Sequence, residues 1–445
     1  EGPQQKNQSP KEVPCRMKQQ TIAVTKAAER NYRMDNLKCL LIFAVVFGHM
    51  LELFMGKNDS FKVIYLVIYS FHMPLFAFIS GVFARYSPEK IRNHLIYPYV
   101  VFQVLYLLFA NLVLEKEAEV QFTTPYWLLW YLFASIAWNL LLPLVQGNGF
   151  TWRKKAVVLT AAFLAGILIG FDNKAGYYLS FSRIVEFFPY FLLGAYYREW
   201  ADRRKTAKRF PDDSRSLADD ASFMRTGQPA MRSAGQTEAE REACSAGASL
   251  KKRIQKAAAR PAAMLCLGAL LCVLIYVITD NVDEIKYAWL YGSVSYETGN
   301  YSWRFRLLSI GAALLWLVFF LVSIPGRKIP FLSHIGANTM SIYLLHGFLI
   351  KLMSKTRLFN EIEHDLFSGL LISACLVVFL SWRPLVRLLS PLMRWEGSFL
   401  PARRTPHRNA GERNGWRIQG GFRSGERRRG GDGSAGLRRK MSMRR

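Results

Sequence analysis

Cysteine is scarce in this chain. Only six of its 445 residues are Cys, at 15, 39, 244, 266, 272 and 375, with no C-x-x-C pair and no histidine at zinc-ligand spacing. That scatter excludes a disulfide framework and gives no metal site. Four of the six fall in or beside apolar runs, where a reduced cysteine behaves as a small hydrophobe. There is no serine-nucleophile motif and no internal repeat. Acidic residues are few as well, 32 against 59 Lys and Arg, which leaves a formal charge of +27. A nucleic-acid partner is not the reading of that surplus, because the basic residues sit in the gaps between apolar runs and in the two tails. A cleavable signal peptide is not expected either: the first thirty residues are polar, and the first apolar run is long enough to span.

What the chain has in abundance is apolar surface, 51% hydrophobic and 14% aromatic residues. A span needs about 20 mostly apolar residues. Windows of that kind fall at 37–56, 61–84, 94–114, 125–145, 155–171, 180–198, 262–279, 304–324, 335–353 and 366–390, the last interrupted by Arg383 and Pro384. The expected fold is therefore all-α, a polytopic membrane bundle of about ten helices. Cytoplasmic loops carry an excess of Lys and Arg, and the loop charges alternate accordingly. Residues 1–33, the loops holding Arg85 to Arg92, Arg153 to Lys155 and Arg327 to Lys328, and the stretch after Arg198 are basic, whereas the loops after the third and seventh windows carry Glu115, Glu117, Glu119, Asp280, Asp283 and Glu284. Both termini are expected in the cytoplasm. The organisation reads as a basic tail at 1–33, a first membrane half at 34–199, an unstructured basic loop at 200–260, a second half at 261–395 and an unstructured basic tail at 396–445. The loop and last tail are rich in Gly, Ser, Ala and Arg and poor in branched apolar residues.

Ionisable groups inside a span are costly, so each is a functional candidate. In the first window, helical spacing puts Asp35, Lys38, Ile42, Val45, His49 and Glu52 on one stripe. Lys38 and His49 are eleven residues apart, about 16 Å along a helix axis at the usual rise. Gly48 leaves room for another backbone or a ligand to approach. The second window runs back and carries His72 at a similar depth, where the two histidines can meet or His72 can simply bond a neighbouring helix. Pro74 just after it frees a carbonyl near Ser70 that a membrane requires to be re-satisfied. Arg183 and Glu186, three apart, can neutralise each other. Asn338, Ser341 and His346 in the ninth window either line the same cavity or join helices. Tyr126, Trp127, Trp130 and Tyr131 read as an interfacial belt or as rings that hold a sugar.

The spacing from Lys38 to His49 with Asp35 upstream, the segment FHMPLFAFISGVFAR, the LIYPY after the basic loop, FFPYFLLGAYY and IGANTMSIYLLHG together resemble the integral-membrane acyltransferase 3 family, in its fucose 4-O-acetylase-like branch. The resemblance spans most of the membrane region. It implies ten spans in a bacterial plasma membrane, cytosolic acetyl-CoA as the donor substrate with no permanently bound cofactor, and a carbohydrate or surface-glycan hydroxyl as acceptor. His49 matches the family's catalytic histidine. Where many members have an Arg-x-x-Arg pair, this chain has Lys90-Ile-Arg92-Asn-His94.

On this reading Lys38, Arg85, Lys90 and Arg92 bind the phosphates of CoA. His49 is the general base, oriented by Glu52 or by His72, since Asp35 is too distant. An acetyl-imidazole intermediate on His49 stays open. Two rival classes predict other behaviour: a proton-coupled transporter relaying through His49, His72 and Glu186 predicts flux without CoA, and a noncatalytic sensor predicts a dispensable His49.

Overall fold

The computed structural model describes residues 30–53, 59–117, 121–147, 150–176, 178–209, 260–355 and 366–395. The tails 1–29 and 396–445 and residues 210–259 of the basic loop lie outside the described residues. Every regular element among the described residues is a helix: α1 Tyr32–Leu51, α2 Asp59–Tyr69, α3 His72–Phe83, α4 Pro88–Leu112, α5 Trp130–Val145, α6 Trp152–Leu168, α7 Phe181–Arg209, α8 Arg260–Asp280, α9 Trp303–Ser323, α10 Pro330–Ala337, α11 Thr339–Lys355, α12 Leu366–Leu380 and α13 Arg383–Met393.

By length and apolarity seven segments can cross a membrane, with α2 and α3 together forming one of them. An eighth is the pair α12 and α13, bent by 69° at the break the sequence marks with Arg383 and Pro384. Ten windows were expected, and the shortfall lies at 180–198 and 335–353. The first is helical in α7, but Arg183, Glu186 and Arg198 dilute its apolar run. The second is broken at Asn338 into α10 and α11, and α11 has 17 residues. α7 also runs on to Arg209, so the start of the loop expected to be unstructured from 200 is helical.

α1 is the axis of the bundle. Asn31 caps it, its side chain accepting the Met34 N–H at 3.4 Å, and 78% of its apolar window is buried, against 11% for α8. The peripheral helices turn large apolar side chains outward, among them Val157, Leu265, Leu308 and Phe367. That is the surface a hydrocarbon solvent calls for. The residues expected inside gather at one end of the bundle, where Arg33 donates to the Leu321 carbonyl at 3.2 Å, Arg260 to Val322 at 2.9 Å, and Arg198 to Ala84. At the other end the Tyr65 and Tyr291 hydroxyls meet at 2.7 Å and Lys355 pairs with Glu115 at 2.8 Å.

Without a hydrophobic driving force between them, membrane helices associate through close backbone approach at small residues. α3 and α7 do this reciprocally: a Cβ at Gly81 would overlap the Phe191 carbonyl, and one at Gly194 the Phe78 carbonyl. A backbone carbonyl cannot rotate away. Gly194→Ala should therefore cost about 1–3 kcal/mol, the usual penalty of overpacking, and lower the thermal midpoint of the detergent-solubilised protein. Gly268→Ala, where a Cβ would meet nothing within 4 Å, should leave the midpoint in place.

Candidate active site

The stripe read along the first helix is intact. Lys38, Ile42, Val45 and His49 all face one cavity of about 400 Å³ enclosed by α1, α3, α4, α5 and α11. Its basic end is lined by Lys38, Arg85, Lys90 and His94, its far end by His49 and His346, and its middle by apolar groups such as Phe76, Ile79 and Met340. The Lys38 ammonium lies 3.9 Å from the Phe83 ring centroid and 3.5 Å from Asp35, which in turn accepts Arg30 at 2.5 Å. Asp35 thus anchors Lys38 rather than reaching His49. Arg85 and Lys90 reach the cavity as expected, whereas Arg92 does not line it and donates to the Asn93 side chain at 2.9 Å. After a first α turn over Pro88–Ile91, α4 widens to a π turn over Arg92–Ile96. Pro98 has no N–H to offer residue 94, and the widened turn is the kind of helix defect found at functional sites. It brings Ile91, His94 and Leu95 to the cavity wall.

At the far end, His49 Nδ1 lies 3.1 Å from Glu52 Oε1. A carboxylate accepts only, so Nδ1 carries a proton, and in the neutral imidazole Nε2 is then the bare base. Glu52 Oε1 also accepts the Tyr65 hydroxyl at 3.0 Å and the Tyr69 hydroxyl at 2.7 Å, which fixes its rotamer. Gly48 gives the space for this: a Cβ there would stand 3.3 Å from the Tyr69 ring. The neighbour at Gly48 is therefore an aromatic ring, where the sequence suggested a backbone or a ligand. The His49 ring lies edge-on to Trp127 at 4.9 Å and stacks on His346 at 5.4 Å between centroids. His346 is fully buried, bonds the Ile342 carbonyl through Nδ1 at 2.9 Å, and leaves Nε2 without a partner.

The histidine beside His49 is therefore His346 and not His72. Pro74 breaks the helix between α2 and α3, and the freed carbonyls are taken locally, Val67 by the Ser70 hydroxyl at 2.7 Å and Ile68 by His72 Nδ1 at 2.9 Å. His72 supports Tyr69, edge-on at 4.4 Å, one layer behind the cavity. The direct ion partner of Glu186 is the buried Arg306 at 3.0 Å, with Arg183 a further charge acting on the same carboxylate. Arg183 itself donates to the Tyr291 carbonyl at 3.0 Å. A proton path through His49, His72 and Glu186 is not assembled by these contacts. Ser341 donates to the Leu380 carbonyl at 3.0 Å, the helix-joining alternative, whereas Asn338 turns back on its own helix and donates to the His334 carbonyl at 3.0 Å. Three contributors were not singled out from the sequence: Tyr65, Tyr69, and the Ser80 hydroxyl, which meets the Tyr131 hydroxyl at 2.6 Å on the cavity wall. Only Ser80 carried a usable signal, a small polar residue one turn from Phe76 and facing the same side.

A family model described as an acyltransferase domain covers residues 31–384. No curated protein and no solved structure matches the chain.

Proposed function

The chain belongs to this family of integral-membrane acyltransferases, and we propose that it moves an acetyl group from cytosolic acetyl-CoA to a hydroxyl of a sugar or surface glycan, as in the fucose 4-O-acetylase-like branch. The observation that carries this reading is the single cavity with cations at one end and His49 at the other. Its Lys38-to-His49 length, about 16 Å by helical rise, suits an extended pantetheine arm whose phosphates stay with Lys38, Arg85 and Lys90. The basic end then faces the cytoplasm, with both termini inside and a bacterial plasma membrane as the setting.

In the reaction, the acceptor hydroxyl gives its proton to His49 Nε2 as its oxygen bonds to the thioester carbonyl carbon. The C–S bond then breaks, and the CoA sulfur leaves with the proton returned by His49. Glu52 holds the imidazole in the required tautomer and offsets the charge it gains. The bare Nε2 of His346 accepts a hydrogen bond from a substrate hydroxyl or amide and helps to orient it.

The test feeds labelled acetyl-CoA to inverted vesicles from the native host, comparing wild type with a deletion strain. Label in glycan that vanishes in the deletion supports the reading, and label unchanged by the deletion overturns it. For the donor site, Arg85→Ala combined with Lys90→Ala should raise the KM for acetyl-CoA about tenfold or more, each charged phosphate contact contributing about 1.5–3 kcal/mol before solvent screening. Its kcat should change much less, as expected for binding shared by ground and transition states.

A further inference from the structure

Beyond the histidines, outside the residues that line the cavity, the structure holds a cation that donor binding does not use. Lys351 stands five residues after His346 on α11, about 7.5 Å further from the basic end at the helical rise. Its ammonium lies 4.3 Å from the Trp127 ring centroid, and no carboxylate among the described residues pairs with it. One turn on, Lys355 is neutralised by Glu115 at 2.8 Å. The two lysines of one helix end are thus treated differently, one paired with a carboxylate and one placed over an aromatic face.

That face is built with some effort. Trp127 has φ +38°, a conformation costly for any residue with a bulky side chain and one that persists only where the surroundings impose it. Behind it Gly347 has no side chain, and a Cβ there would come 2.9 Å from Trp127 Cζ3. The ring is thereby held T-shaped to His49 at 4.9 Å with the Lys351 ammonium over its face. A cation over tryptophan is attracted by the ring quadrupole and keeps its remaining N–H donors for a ligand.

From this, and resting on the acyl-transfer reading above, we infer that Trp127 and Lys351 form the acceptor subsite and that the acceptor is anionic, carrying a carboxylate or phosphate close to the hydroxyl that His49 deprotonates. Trp127 holds the Lys351 ammonium in place beside His49. Lys351 takes the anionic group, as a point charge suited to either chemistry.

The full chain in neutral-lipid nanodiscs tests this with three probes: methyl glucuronide, glucose 6-phosphate and methyl glucoside. Equilibrium binding is measured on the wild type, His49→Ala, Lys351→Gln and Lys351→Arg, and acetyl transfer on the wild type, Lys351→Gln and Lys351→Arg. The expected result is a preference of at least about tenfold for one charged probe over the glucoside, with glucuronide and glucose 6-phosphate separating carboxylate from phosphate. The ratio of charged to neutral kcat/KM should fall to about one in Lys351→Gln and recover in Lys351→Arg. Equal binding of charged and neutral probes, no binding of any, or a preference untouched by Lys351→Gln would overturn the inference. Charge-selective binding that depends on Lys351 but is followed by no transfer would leave the subsite standing and remove the acyl-transfer reading.

Discussion

Replacing His49 by alanine is expected to lower kcat by roughly a hundred- to ten-thousand-fold, the range a positioned general base contributes, with the KM for acetyl-CoA within a few-fold of wild type. The separation follows from geometry. His49 lies at the far end of the cavity from Lys38, Arg85 and Lys90, so removing its ring leaves the phosphate contacts in place. Glu52→Gln should show a smaller loss in the same parameter, because Gln can still accept from Nδ1 but offsets no charge. Purified variants at matched folded concentration, followed by release of free CoA thiol with acceptor present, give both numbers. Full turnover in His49→Ala would remove the base mechanism, whatever the family.

The largest expected effect on stability lies elsewhere, at Arg306. Its side chain is 2% exposed and pairs with Glu186 at 3.0 Å. It also donates to the Gly166 carbonyl at 3.1 Å and to the Tyr301 hydroxyl at 2.9 Å, so one guanidinium joins α6, α7 and α9 to the segment before α9. Arg306→Ala should cost about 3–5 kcal/mol, since it leaves the Glu186 carboxylate buried without its counter-charge. The double replacement Arg306→Met with Glu186→Leu should be far milder, because no charge is then stranded. Thermal unfolding in one detergent, with the two variants side by side, gives the comparison. A double variant as unstable as Arg306→Ala would show that the guanidinium's other hydrogen bonds matter more than the ion pair.

These two sites also mark how far the sequence could be read. His49 and Glu52 share one helix three residues apart, so their contact is fixed by helical periodicity and was legible, as was the line from Lys38 to His49. His346 comes from a helix almost 300 residues later, and only packing puts its ring against His49. The pairing with His72 was a depth argument. Depth does not set the direction of a side chain, and the Pro74 break turned His72 to the Ile68 carbonyl. Arg183 and Glu186 likewise stand at pairing distance in sequence, yet each bonds directly to the segment from Tyr291 to Arg306. The break at Pro384 was visible because a missing N–H acts locally wherever it occurs. Tyr65 and Tyr69 gave no signal, since tyrosines near a helix end read as belt residues until a carboxylate is seen between them.

The contrast between α1, 78% buried, and α8, 11% buried, means that the two helices record different histories. A position touched mostly by lipid asks only for oiliness, so α8 is free to exchange one apolar residue for another over generations with little consequence. On α1 almost every side chain answers to a named neighbour, and the same exchange disturbs packing, cavity or base. Drift in this protein should therefore accumulate at the rim and stall at the axis, leaving the first helix as the stretch by which distant kin are recognised.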